Sequence, residues 1–186
     1  MINHHSSIIF YWEVCYQKIG SWWQKLISRL RKQSAMPEQP LKRSRIQVST
    51  DLNALAEVLQ WFEQFNISLV PGDIWWQCQT ALAEGFTNAV RHAHRNLPPE
   101  TPIDIEVAIL PQYLEMRIWD GGQPFDLESK LQVLSQQVLD PLEKENGRGL
   151  IFMHQLTDEI SYTRTEDQRN CLLMRRNLLA PLRGDK

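Results

Sequence analysis

An α+β domain is predicted for residues 41–180 of this 186-residue chain, and three observations predict it. A short alternating strand is followed by two amphipathic helical stretches, two strand-like runs are separated by only Pro111-Gln112, and a second pair of such runs closes the domain. In order, Arg45 to Ser49 alternates as a strand, and Thr50 or Asp51 can cap a helix with Leu52, Leu55, Ala56, Leu59, Phe62 and Phe65 on one face. Pro71-Gly72 marks a turn, and Asp73 is the expected N-cap of a long helix to about Arg95. Its apolar stripe is Ile74, Cys78, Leu82, Phe86, Ala89 and Ala93. Asn96 to Glu100 is a loop, after which Ile103–Leu110 and Tyr113–Trp119 read as a hairpin. Asp126 to Val138 can form a helix, and the stretch to Asn146 is polar. An apolar helical run then begins around Asn146 to Met153. Asp158–Arg164 and Cys171–Asn177 are the last two strands, around a polar turn at Glu166 to Asn170.

The chain ahead of this domain has a different character. Residues 1–40 are read as an extension and linker, and 181–186 as a tail. Trp12, Cys15, Tyr16, Ile19, Trp22, Trp23, Leu26, Ile27 and Leu30 recur at helical intervals among Lys18, Lys25, Arg29, Arg31 and Lys32. Such an aromatic, basic, amphipathic stretch, residues 8–32, suits peripheral membrane contact or a partner; a helix that packs on its own domain or is poorly ordered is an equal alternative. Two prolines within Ser34–Pro40 oppose regular structure, and Met36 is an alternative native start. The 42% hydrophobic content is enough for one core, and the formal charge of −2 gives no electrostatic case for nucleic acid. Cys15, Cys78 and Cys171 are widely spaced, with no CxxC pair, which argues against a disulfide framework or cysteine zinc site. With neither an 18-residue apolar run nor a secretory signal, the expected location is the cytoplasm.

Three short stretches carry chemistry. In Ala83–Ala93, Glu84 and Asn88 are four apart and so share a helix face, away from the apolar stripe and together with Gln77, Arg91 and Arg95. A carboxylate can orient a nucleophile, and an amide oxygen is a hard ligand suited to magnesium; the same spacing also occurs on solvated faces. Asp120-Gly121-Gly122 ends a strand. The carboxylate can accept from an exocyclic amine such as that of adenine while glycines let a ligand approach, or the sequence is simply a turn. Gly147-Arg148-Gly149 opens a helical run, where backbone amides and a guanidinium favour phosphate. His92 lies one turn beyond Asn88 and can line the same pocket. His92 and His94, two apart, do not face together, which argues against a metal pair.

Taken in order, these pieces resemble the ATP-binding domain shared by sensor histidine kinases, type II topoisomerases, Hsp90 chaperones and mismatch-repair ATPases, the GHKL or Bergerat fold. The resemblance spans about residues 43–178. The small size, with a strand and helix ahead of the first box, looks most like the anti-sigma-factor serine kinases of bacterial partner-switching systems. It implies a two-layer α/β sandwich, with a mixed, mainly antiparallel sheet covered on one face by helices. It also implies ATP and Mg2+ as cofactors: Glu84 as general base, Asn88 as magnesium ligand, Asp120 as the adenine-reading carboxylate with Gly122, and Gly147, Arg148 and Gly149 at the phosphates. Phe125, His92 and Leu150 complete the expected nucleotide-binding set. Pro124 stands where the family pattern has a second glycine. The family's threonine on the last strand has Asn170 and Cys171 as its nearest counterparts, and the lid from Phe125 to Gly147 is short.

On that resemblance the expected function is that of an ATP-dependent serine/threonine kinase and anti-sigma factor. Its partners would be a serine-bearing antagonist protein and a sigma factor or other regulator, and it would be a homodimer. An ATP-dependent binding module without phosphotransfer and a stand-alone histidine-kinase-like catalytic domain are the competing expectations.

Overall fold

A computed structural model describes residues 39–136 and 148–179. The amphipathic 8–32 stretch, Met36, Gly147 and the 181–186 tail lie outside the described residues. The chain divides between Gln39 and Pro40, and every described strand and helix belongs to the unit from Pro40 onward.

Five strands form one sheet: β1 (Lys42–Val48), β2 (Ile103–Ile109), β3 (Tyr113–Asp120), β4 (Glu159–Arg164) and β5 (Asn170–Asn177). Their order is β1-β2-β3-β5-β4, and every described pair is antiparallel. The mixed, mainly antiparallel sheet of the resemblance is thus antiparallel throughout among the described strands. Alternation decides its two faces. Ile103, Ile105, Val107, Ile109, Leu114, Met116, Ile118, Leu172 and Met174 are buried on one side. The other side carries charge: Arg45 and Arg169 meet Asp104 at 3.2 and 2.7 Å, and Arg117 and Arg175 meet Glu115 at 2.8 and 2.6 Å.

The apolar side is covered by α1 (Leu55–Phe62), α2 (Gly72–Asn88) and α4 (Arg148–Leu156), with α3 (Leu127–Gln136) packed beside α4. Phe62, Phe65, Cys78, Leu82 and Phe86 are fully buried against the strands, each large side chain contributing about 1.5–3 kcal/mol of burial. Among the described residues no helix is long and apolar enough to cross a membrane.

Several local expectations shift. Asp51 caps the first helical segment by accepting the Asn53 N–H at 2.9 Å, but that segment is a 3-10 turn, Leu52–Ala54, and the α-helix starts at Leu55. The tighter turn changes the helical phase. Leu52 and Ala56 are therefore exposed, and Val58 takes the core position instead. Pro71, not Asp73, stands at the N-cap of α2, leaving Asp73 in the first turn, where its charge suits the helix dipole. At its far end α2 stops being α-helical at Asn88 and widens into a π-helical turn, Ala89–Ala93, before the expected end at Arg95. Asp126 accepts the Ser129 N–H at 3.0 Å and the Ser129 hydroxyl at 2.6 Å, which starts α3 one residue later than expected.

Candidate nucleotide site

Glu84 and Asn88 lie on the last turns of α2, and both are half-buried. The reason is α4, which lies along the face expected to meet ligand or water. Gly149 in its first turn sits so close that a Cβ there would stand 2.6 Å from Glu84 Oε2 and 3.4 Å from Asn88 Nδ2. The first amides of a helix have no intrahelical partner and favour anions. A carboxylate, a carboxamide and a helix start therefore converge. Arg148 begins α4, and Leu150 packs half-buried against the core, anchoring the helix behind the glycine. Asn88 Nδ2 is buried without a hydrogen-bond partner among the described residues, as is Gln77 Oε1 on the same helix. An orphaned amide of this kind fits a ligand-facing role. Asn88 supplies a single oxygen, far short of a magnesium shell, so an ion there would need nucleotide phosphates and water as its other ligands. Arg91, His92 and Arg95 are exposed at or beyond the π-helical turn.

The second group lies at the end of the sheet. The register places Asp120, Asn170 and Arg164 side by side across β3, β5 and β4. Asp120 is 3% exposed. Its Oδ1 accepts from the Gly122 N–H at 2.9 Å and Asn170 Nδ2 at 2.8 Å, and its Oδ2 accepts from the Tyr162 hydroxyl at 3.0 Å. Two donors fill Oδ1 and leave Oδ2 with capacity for one more, the room an exocyclic amine needs. Burial, and then the Asp120 carboxylate, push the Tyr162 phenol up, so it stays a donor. Tyr162 packs on Phe125 with ring centroids 4.4 Å apart, and Lys130 Nζ stands 4.4 Å from the centre of the Phe125 ring.

The turn after Asp120 is fixed on every side. Arg164 and Asn170 donate to the Gly122 carbonyl at 3.2 and 3.0 Å. A Cβ at Gly122 would lie 2.2 Å from the Ala93 carbonyl oxygen, so only glycine allows the turn to meet the π-helical turn. Of the two nearest counterparts of the family's threonine, Asn170 bonds directly to Asp120. Cys171 does not, because alternation turns it to the charged face opposite Trp119.

Tyr162, Arg164 and His94 are not legible from sequence as site residues. Tyr162 and Arg164 become neighbours of Asp120 only through the β4–β5 register, for which the polar turn at Glu166 to Asn170 is the available signal. His94 is 2% exposed and bonds to the Gly121 N–H, whereas His92, the expected pocket residue, is exposed.

Residues 48–176 match the family model for the histidine kinase-like ATPase domain. Among curated proteins the chain is similar to the serine-protein kinase RsbW of Oceanobacillus iheyensis, 35% identical over 85 residues, covering 44% of this chain and 53% of the relative. The RsbW of Bacillus licheniformis is 31% identical over 84 residues, with 43% and 52% covered. That of Staphylococcus aureus is 32% identical over 84 residues, with 44% and 53% covered. The alignments span about half the length of these relatives.

Proposed function

The chain belongs to the histidine kinase-like ATPase domain family, and from that premise we propose that it is an ATP-dependent serine/threonine protein kinase acting on a protein antagonist. One observation carries the proposal. Gly149, at the start of α4, stands against Glu84 and Asn88, so a carboxylate, a carboxamide and the first amides of a helix share one place, which supports a base, a metal ligand and a phosphate site there. The similarity to serine-protein kinases named RsbW supports serine as the acceptor.

In this reading Asp120 takes the adenine amine on Oδ2, with Asn170 and Tyr162 holding the carboxylate in place. The triphosphate runs towards the N-terminus of α4, where Arg148 and Gly149 begin the helix. Asn88 would hold magnesium, which would neutralise phosphate charge. Glu84 accepts the proton of the substrate serine as its oxygen bonds to the γ-phosphorus and the bond to the β-phosphate oxygen breaks, releasing ADP. Most of the acceleration comes from positioning and charge neutralisation. The proposed partners are a serine-bearing antagonist and a sigma factor or other regulator held by the unoccupied protein, which would work as a homodimer in the cytoplasm.

Labelled ATP with the purified protein and candidate antagonists tests the assignment. Acid-stable label on antagonist serine is expected, and Glu84→Gln should lose transfer while keeping nucleotide binding. Transfer by Glu84→Gln at the wild-type rate would refute the base assignment. Acid-labile label would point to histidine chemistry, and binding without transfer to a nucleotide-gated module.

A further inference from the structure

The Asp120–Gly122 turn is held from behind by a residue outside the expected site. His94 Nε2 accepts the Gly121 N–H at 2.8 Å, and His94 Nδ1 stands 2.7 Å from Thr50 Oγ1. The single hydroxyl hydrogen of Thr50 goes to the Thr101 carbonyl at 2.6 Å. Thr50 Oγ1 is therefore an acceptor towards His94, and the imidazole is neutral with its hydrogen on Nδ1. A second proton on Nε2 would face the Gly121 N–H, donor against donor.

The π-helical turn is what makes this contact. The His94 N–H bonds back to the Ala89 carbonyl, five residues earlier, at 2.9 Å. The same widening brings the Ala93 carbonyl against Gly122. One local departure from α-helix thus supplies both supports of the turn, in keeping with the frequent placement of such bulges at functional sites. Through Thr50 and Thr101 the histidine also ties the turn to the segments that follow β1 and precede β2.

We propose that His94 is a positioning residue of the base-reading site, holding the Asp120–Gly122 turn through its Nδ1–H tautomer so that Asp120 is set to meet the base. The proposal rests on the reading of Asp120 as the base-reading carboxylate. Geometry carries it, and charge agrees. Burial pushes the imidazole below its usual 6.5, while the Asp120 carboxylate, the charged group that acts on it, pulls it partly back. Gly121 and Thr50 meet it with neutral groups.

Two measurements on the full chain test it. The first needs no nucleotide: nitrogen-15 NMR of the histidine rings, with amide exchange at Gly121 and Gly122. His94 should show a protonated Nδ1 and a bare Nε2 and remain neutral at pH 6.5. The Gly121 amide should be protected in wild type and His94→Gln and exposed in His94→Phe. An Nε2–H tautomer, or unchanged Gly121 exchange in His94→Phe, would overturn the proposal.

The second is titration with magnesium and the non-hydrolysable ATP analogue AMPPNP. His94→Phe should bind roughly tenfold more weakly, within the cost of an unpaired buried amide, and His94→Gln, which keeps an acceptor and a donor, should recover most of the affinity. Equal weakening in both variants would leave only a packing role and refute positioning. If wild type binds no AMPPNP, the reading of Asp120 fails, and the exchange comparison still decides whether His94 holds the turn. If His94→Phe does not fold, the tautomer and the His94→Gln affinity decide.

Discussion

Replacing Gly122 by alanine should damage the site more than any other single methyl group near Asp120. The added Cβ would lie 2.2, 2.6 and 2.8 Å from the carbonyl oxygen, carbonyl carbon and Cα of Ala93. All three are backbone atoms of a helical turn, so no side chain can swing aside. Relief requires the Asp120–Gly122 turn to retreat by about 1 Å, a displacement that can cost a factor of about 100 in an organised site. The retreat would stretch the bonds from Gly122 N–H to Asp120, from Asn170 and Arg164 to the Gly122 carbonyl, and from Gly121 N–H to His94. Overpacking of this kind costs about 1–3 kcal/mol, and the backbone clash puts it near the upper end. With a urea slope of roughly 1.5 kcal/mol/M, the unfolding midpoint should fall by about 2 M. Gly121→Ala is the control, since its Cβ would stand 3.9 Å from His94 Nε2 and 4.0 Å from Leu97 Cδ1, ordinary contacts. Urea titrations and nucleotide affinities of the two variants should differ sharply. If Gly122→Ala matched Gly121→Ala in both, the close approach would be irrelevant and the reasoning wrong.

Gly149→Ala should lose phosphotransfer with little loss of stability: the added methyl meets only the movable end of the Glu84 side chain at under 3 Å, while alanine is favoured over glycine in a helix by up to about 1 kcal/mol. Unimpaired transfer would contradict the placement of α4 over Glu84. Burial pushes the Cys78 thiol up to about 12, so alkylation of Cys78, followed by peptide mass spectrometry, should be slow in native protein at pH 8 and fast in urea. Because the folded state holds His94 below 6.5, the unfolded chain takes up that proton first; the stabilisation is complete above pH 6.5 and declines as pH falls below it. Urea midpoints at pH 7.5 and 5.5 should show a drop that is smaller in His94→Gln, and an equal drop in both would contradict it.

The fold and half of the site are legible in the sequence because they depend on local pattern. Alternation in β2, Ile-Asp-Ile-Glu-Val-Ala-Ile, determines which face is buried wherever the strand lies. The four-residue spacing of Glu84 and Asn88 needs only a helix to bring them together. What covers that helix is not local, so their face reads as open whereas α4 lies on it. Tyr162, 42 residues along the chain from Asp120, and Arg164 reach it only through the β3–β5–β4 register. An α-helical phase carried through Ala89–Ala93 puts His92 beside the site and not His94, but the chain adopts a π turn there. The same error of phase, at the 3-10 turn Leu52–Ala54, puts Leu52 in the core in place of Val58.

A crystal structure with magnesium and AMPPNP tests the central claim most directly. The adenine amine should lie within hydrogen-bond distance of Asp120 Oδ2, the metal on Asn88, and the γ-phosphate between Glu84 and the start of α4. A nucleotide bound elsewhere, or an adenine that leaves Asp120 untouched, would contradict the claim.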